Sequence, residues 1–408
     1  MTVPKFTLLA LITLILMGCS TVETPAPIGD IRRVELPAPT IEGDIGFKAS
    51  QNSPGPATPT TAPVPTPTLI PTYTPVPDPT ITPSSTPTPT PTPTPTSAPP
   101  SKPRIAGSVQ FEVDVAKVVS ETELSEQGFE RINAPALLRL KDGRYRLYLQ
   151  SRVDTSERGV STYYIISSIS GDGVDWTLES GPRIISGGES DIDSESGEPE
   201  VFLGMDDKYY MAYTGRFKDI NPEGKEENMH RLVFAVSDDG LNWSKLDKHY
   251  SDPLNRNDFA SSADVHVIGG KYLMYYTGQR NIIRASSEDG LTWIREQISI
   301  EAGHDSSMVM VGDRYYQFVR MPEELVYRNN PDLDADRVIM LISKDGINWS
   351  DNYYKVKARD ADGNKIARID MRNPGAIVLP DGSLRVFLSV DKGGSIYSIK
   401  PVDPLPLE

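Results

Sequence analysis

From about residue 131 to the C-terminus, short stretches of alternating apolar and polar residues are separated by Asp-Gly, Gly-Gly or Gly-Asp pairs. Such alternation marks half-buried strands, and the glycine-containing pairs supply the φ > 0 residues of tight hairpins. One hairpin recurs five times. Its apolar strand begins at Ala136, Val201, Val265, Met308 and Ala376. Its turn is Asp142-Gly143, Asp206-Asp207, Gly269-Gly270, Gly312-Asp313 and Asp381-Gly382, and the chain returns through Tyr145, Tyr209, Tyr272, Tyr315 and Leu384. A second phrase, Ser-x-Asp-Gly-x-x-Trp, follows the first four copies and ends at Trp176, Trp243, Trp293 and Trp349, the only four tryptophans of the chain. A phrase recurring every fifty to seventy residues or so predicts stacked four-stranded units, as in propeller blades. The fifth copy lacks the phrase and is followed by one strand, residues 395–400. The alternating segment from Val109 to Val115 supplies the missing outer strand, which would hide two open edges. The prediction is an all-β, five-bladed β-propeller over residues 104–403, its ring closed by an N-terminal strand; six blades with one degenerate fit the strand count less well.

The first hundred residues carry no such pattern. Residues 1–18, with Lys5 and an apolar run from Leu8 to Met17, read as a signal peptide whose run is too short for a comfortable membrane span. Leu16-Met17-Gly18-Cys19 resembles the bacterial lipobox. Lipid attachment at Cys19, the sole cysteine, explains a lone thiol in a secreted chain and excludes an intramolecular disulfide. An ordinary signal peptide with a coincidental cysteine is the alternative. Residues 19–53 form a polar spacer. Residues 54–103 are dominated by Pro and Thr, which cannot build a core and favour extended polyproline II, so this disordered linker is expected to act as a stalk. The protein is thus expected on the extracellular face of a bacterial envelope, as a monomer tethered to the membrane by lipid.

The formal net charge of −15 argues against nucleic acid as a partner. No glycine-rich strand-to-helix turn suggests a nucleotide, and no recognised zinc or calcium spacing occurs, so no cofactor is expected. A single axial Ca²⁺ held by His266 and nearby carboxylates stays open. In a propeller every Asp-Gly turn lies on one end, so the tryptophan phrases are expected to be structural and chemistry is sought at the opposite end. There the innermost strands start with Asn133-Ala134-Pro135, Gly197-Glu198-Pro199-Glu200, Ser262-Ala263-Asp264, His304-Asp305 and Arg372-Asn373-Pro374. Cleaving a glycosidic bond needs two carboxyl groups flanking it, and Glu198, Asp264 and Asp305 are the catalytic candidates. Asn133, Glu200, His266, His304, Arg372 and Asn373 are candidate substrate contacts. Arg152, Arg216, Arg280 and Arg320, with Lys392, end the second strands and suggest recognition of anionic groups. Inserts at 217–230 and 321–337 would wall the pocket.

The Asn/Asp/Glu-Pro strand starts, Tyr-Tyr-Thr-Gly (212–215 reads Ala-Tyr-Thr-Gly, 275–278 Tyr-Tyr-Thr-Gly) and the tryptophan phrase together resemble the five-bladed propeller glycosidases of glycoside hydrolase families 43, 32 and 130. The resemblance covers roughly residues 105–400. Family 43 implies a base Asp in blade one, an orienting Asp before Pro in blade two and an acid Glu in blade three; the matching positions hold Asn133-Ala134-Pro135, Glu198-Pro199 and Asp264. The blade-one base is therefore replaced. Family 130 implies Glu198 as proton donor, with the arginines and His304 echoing its phosphate site, although its full Glu-Asp-Pro-Arg signature is absent. The expectation is a glycoside hydrolase or phosphorylase acting on a glycan, with Glu198 as acid and Asp264 or Asp305 as base. A glycan-binding propeller that has lost its base is the second reading, and a protein-interaction propeller the third.

Overall fold

The computed structural model describes residues 104–155, 160–221, 224–301, 303–321, 338–366, 371–390 and 394–408. The signal, Cys19, the spacer and the Pro/Thr stretch lie outside these residues, as do most of the insert after Met321 and Lys392.

The described chain is nearly all β. An N-terminal strand, β1 (Arg104–Val115), leads to a short helix, α1 (Glu121–Glu126), which starts with a capping box between Ser120 and Glu123. Antiparallel groups of strands follow. The first holds β2 (Arg131–Arg139), β3 (Tyr145–Thr155), β4 (Val160–Ser170) and β5 (Thr177–Leu178), with β6 (Ile184–Ile185) also on β4. The second holds β7 (Glu195–Leu203), β8 (Tyr209–Ile220), β9 (Glu226–Ser237) and β10 (Ser244–Tyr250). The third holds β11 (Ser261–Ile268), β12 (Lys271–Gly278), β13 (Asn281–Ser287) and β14 (Ile294–Glu301). The remaining strands form one eight-stranded sheet, made of β15 (His304–Val311), β16 (Arg314–Arg320), β17 (Val338–Ser343) and β18 (Asn352–Arg359), then β1, then β21 (Ser395–Pro401), β20 (Leu384–Val390) and β19 (Arg372–Val378).

The joint in that sheet is β1. It runs antiparallel to β21 on one edge and parallel to β18 on the other, so Phe111 stands opposite both Pro401 and Ala358. Phe111 is fully buried and meets Phe318 edge-on at 6.1 Å. The first strands pack in succession: β2 on β7, β7 on β11, β11 on β15, β15 on β19, and β19 back on β2. Their succession encloses a narrow channel, giving a propeller-like arrangement.

The tryptophan phrase binds these groups to one another. In each copy the serine hydroxyl accepts the glycine N–H, and one aspartate oxygen accepts the two following N–H groups, as Asp239 Oδ1 does from Leu241 and Asn242 at 2.8 Å. Gly240 has φ +70°, and an added Cβ would lie 3.0 Å from the Tyr148 hydroxyl, so both turn and neighbour demand glycine. The phrase then reaches the preceding group. Tyr148 Oη donates to the Gly240 carbonyl at 2.6 Å, and Arg146 Nη1 donates to that of Asp239 at 3.0 Å. Trp243 meets Tyr148 edge-on, as Trp349 meets Tyr275 and Trp176 meets Phe387. Trp293 joins a buried cluster containing Phe202 and Phe234. Such aromatic pairs contribute about 0.5–1.5 kcal/mol beyond their burial.

Burial opposes ionisation of Asp239, yet the turn's hydrogen bonds hold its carboxyl well below the usual carboxylate range. A depressed carboxyl stabilises the fold above its unfolded value and loses that contribution as pH falls toward the folded one. Asp239→Ala is expected to cost about 1–2 kcal/mol, the scale of a lost helix cap, and to weaken the acid dependence of unfolding. Urea denaturation at neutral and acidic pH checks both; equal losses at the two would contradict the ionised role.

Candidate functional site

Each inner strand carries the same irregularity near its start. Register shifts occur between Asn133 and Ala136, Gly197 and Glu200, Ser261 and Ala263, His304 and Ser306, and Arg372 and Gly375. Within these bulges Ala134, Glu198, Ser262, Asp305 and Asn373 all adopt left-handed backbone, with φ between 45° and 50°. Non-glycine residues held there cost on the order of 1–3 kcal/mol each and are maintained by their surroundings. The support is a side chain from the previous group's second strand. Ser389 accepts the N–H of Ala134 at 2.9 Å, Gln150 that of Glu198 at 3.2 Å, Thr214 that of Ser262 at 2.9 Å and Thr277 that of Asp305 at 3.0 Å. The equivalent register position on β16 is Arg320, opposite His304, and a guanidinium has no acceptor. Arg320 instead donates to Asp305 Oδ2 at 3.0 Å. The repeat is broken where an ion pair replaces the brace.

The bulges aim three side chains at one another. The Ser262 hydroxyl lies 2.8 Å from Glu198 Oε2 and 2.9 Å from Asp305 Oδ1. Arg216 Nη2 holds Glu198 Oε1. Burial would raise the Glu198 carboxyl, but Arg216, His230 once it is protonated in acid, and hydrogen bonds from Ser262 and Thr214 outweigh it and hold it down at about 2. Burial and the Arg216 charge in turn push His230 down to about 4, so this imidazole is neutral at neutral pH. His304 is lowered too, by burial and by Arg320, against the pull of Asp305.

Farther into the channel lie Glu200, Asp264 and His266. Asp264 is buried, and its Oδ1 is 2.7 Å from His266 Nε2. Burial first, then the Asp264 charge, raises Glu200 well above the usual range, and burial raises Asp264 against the pull of His266. Glu200 Oε1 accepts the Val265 N–H at 3.3 Å. These residues, with Ala134, Glu198, Ser262, Asp305, Ser307 and Asn373, line an axial cavity of about 70 Å³. That is room for a few waters, so a sugar would have to bind at the mouth. Among the described residues no group of three or more His, Cys, Asp or Glu is placed to hold a metal ion.

The sequence candidates therefore separate. Glu198 and Asp305 meet at the mouth, whereas Asp264 belongs to the deeper set with Glu200 and His266. Glu198, ion-paired and held ionised, does not suit the acid role that the resemblance suggested. Asn133 is absent from the cavity lining, where Ala134 takes its place, and its Oδ1 is buried without a hydrogen-bond partner among the described residues. The four arginines are not equivalent. Arg152 and Arg216 occupy the same register, opposite Arg131 and Glu195, while Arg320 sits two residues short of it. Arg280 is exposed in the β12–β13 turn, because that hairpin closes directly after Gly278. Arg152 lies over the Tyr163 ring at 5.9 Å, and Arg372 stands opposite Ser389 beside Asn373. Ser262, Thr214 and His230 were missed as site residues. His230 lies opposite Arg216 on the extended β8–β9 hairpin and stacks on Phe259 at 4.5 Å. Superposing the five strand starts by residue number would have exposed Ser262, since it occupies the same place as Glu198 and Asp305.

No family model matches the chain, and no curated protein matches it. Solved structures do. A family 117 glycoside hydrolase of the marine bacterium Zobellia galactanivorans superposes with a TM-score of 0.52 at 16% identity, covering 73% of this chain and 93% of that one. The sucrose-6-phosphate hydrolase of Lactobacillus gasseri gives 0.51 at 16% identity, covering 70% and 63%. BT0996, solved as an RGII complex, gives 0.50 at 18% identity, covering 74% and 94%. At these identities the likeness is one of fold alone.

Proposed function

We propose that this chain is a five-bladed propeller that cleaves glycosidic bonds at the mouth of its axial channel, held at the bacterial cell surface by a lipid on Cys19 and a Pro/Thr stalk. The observation that carries the reading is the convergence of Glu198 and Asp305, from separate sheets and on strained backbone, upon one serine hydroxyl. Two carboxyl groups held close together beside the axial cavity suit glycoside cleavage. The solved structures of this fold include enzymes named as hydrolases of glycosides and of a sugar phosphate, which supports a glycan as the partner. Arg216 and Arg320 are each occupied by a carboxylate, which favours water over phosphate as the acceptor.

The test is release of product from a panel of oligosaccharides and aryl glycosides, with and without inorganic phosphate. Turnover independent of phosphate is expected. Ala134 in place of an acidic residue, and an arginine on each carboxylate, favour the second reading, a glycan-binding propeller without catalysis. Tight binding without turnover across the panel would select it. Processing at Cys19 is checked by metabolic labelling with a fatty acid, which Cys19→Ala is expected to abolish; labelling that persists would rule out that anchor.

A further inference from the structure

We infer that the Tyr-Thr-Gly triplets at 213–215 and 276–278 are positioning elements for the channel mouth. Each tyrosine fixes the entry of its own group's inner strand, and each threonine holds the mouth residue of the next group. The triplet occurs twice in the chain, on β8 and β12. At the same register the other second strands carry Leu149-Gln150-Ser151, Val319-Arg320-Met321 and Leu388-Ser389-Val390.

The tyrosines latch the strand entries. Tyr213 Oη donates to Asp193 Oδ2 at 2.8 Å, and Tyr276 Oη donates to Asp252 Oδ2 at 2.6 Å. Both aspartates are buried, in the segments that lead into β7 and β11. A cation from the fourth strand completes each latch, Lys245 Nζ on Asp193 at 2.6 Å and Arg295 Nε on Asp252 at 2.9 Å. The glycines leave space for these segments. A Cβ on Gly215 would lie 2.6 Å from the Ile192 carbonyl oxygen, and one on Gly278 would lie 2.6 Å from Asn255 Nδ2. Asn255 Nδ2 itself donates to Asp252 Oδ2 at 2.9 Å.

The threonines reach across to the next group. Thr214 and Thr277 are fully buried, and their hydroxyls accept the N–H groups of Ser262 and Asp305. Both N–H groups belong to left-handed residues in bulges, where the strand ladder is interrupted. A buried N–H without an acceptor is unfavourable, so each bulge depends on the hydroxyl beside it. Thr214 also hydrogen-bonds the Glu198 carboxyl. A hydroxyl can accept from one partner while donating to another, so Thr214 ties the Ser262 backbone to the Glu198 side chain. Ser262 is thereby held from two sides, by the Tyr276 latch on its own strand entry and by Thr214 from the group before. Losing either threonine hydroxyl displaces groups at the mouth, although neither threonine lines the cavity. The effect on turnover rests on the glycoside-cleaving reading, whereas the placement rests on the hydrogen bonds.

Thr214→Val keeps the side chain's shape and removes its hydroxyl, and Thr214→Ser keeps the hydroxyl. Crystal structures of the two variants test the placement without substrate. In Thr214→Val, Ser262 is expected to leave the left-handed region and its hydroxyl to lose Glu198; in Thr214→Ser both are expected to stay. An unmoved Ser262 in Thr214→Val would overturn the inference. On the best substrate of the panel, Thr214→Val and Thr277→Val are each expected to lower kcat by on the order of 10²-fold, the cost of a ~1 Å misplacement, with KM within about twofold. The serine variants are expected to recover most of that rate. A loss confined to KM, or serine no better than valine, would overturn the positioning role. Should Thr214→Val not fold, Thr277→Val and Thr277→Ser make the same structural comparison at Asp305. If the wild type turns over no member of the panel, the cleaving reading fails and the crystal structures still decide the placement.

Discussion

Glu198→Gln is expected to lower kcat on the best substrate of the panel by on the order of 10⁴-fold, the scale seen when a reacting group is removed from a catalytic unit. The amide keeps the shape of the carboxylate and an oxygen to accept from Arg216, so the fold and glycan binding should be retained, with some loss of stability from the uncompensated guanidinium. The loss should therefore fall on kcat rather than KM. Parallel measurement of kcat, KM and thermal unfolding separates the outcomes. Full activity would remove Glu198 from the mechanism, and a collapse in melting temperature would mean the residue is chiefly structural.

Arg216→Met is expected to be the most destabilising single change at the site. The Arg216–Glu198 pair is only about a fifth exposed, at 18% and 21%, and β8 and β7 are held in register beneath it. Removing one partner of a buried pair costs roughly 3–5 kcal/mol, because the remaining charge is left uncompensated. Residual exposure puts the expected loss near the lower end, about 3 kcal/mol. The sign of the pH effect follows from Glu198, whose carboxyl is depressed from 4.5 to about 2. Its stabilisation is present above the unfolded value and lost as pH falls toward the folded one. Without Arg216 that depression shrinks, so the wild type should lose its advantage over the variant as acid is added. Urea denaturation at neutral pH and in acid measures this; a constant difference between the two chains would show that the pair contributes no ionic stabilisation.

The architecture was legible because its determinants are local. Asp-Gly turns, alternating strands and one tryptophan per phrase are written into contiguous residues, and the orphaned segment from Val109 to Val115 is where β1 meets β21. The site was legible only to the strand. The starts around Glu198, Ser262 and Asp305 were identified, but which residue at each faces the others depends on a bulge. Ala134, Glu198 and Asn373 each precede proline, which ordinarily favours extended backbone, yet all three are left-handed. Tertiary hydrogen bonds from Ser389 and Gln150 support the first two. One residue of register separates Ser262 from its flanking positions, and two separate it from Asp264, which is why the latter drew the catalytic assignment. The arginines misled for the same reason. Arg152, Arg216, Arg280 and Arg320 align as strand ends in the sequence, while the hairpins they close differ in length.

Substrate is expected to bind where Glu198, Ser262 and Asp305 converge, and a crystal structure of the Glu198→Gln variant with an intact oligosaccharide checks this. A glycosidic bond is expected at the channel mouth, between residue 198 and Asp305. A sugar bound on the Asp-Gly end, or on the outer strands away from the axis, would contradict it.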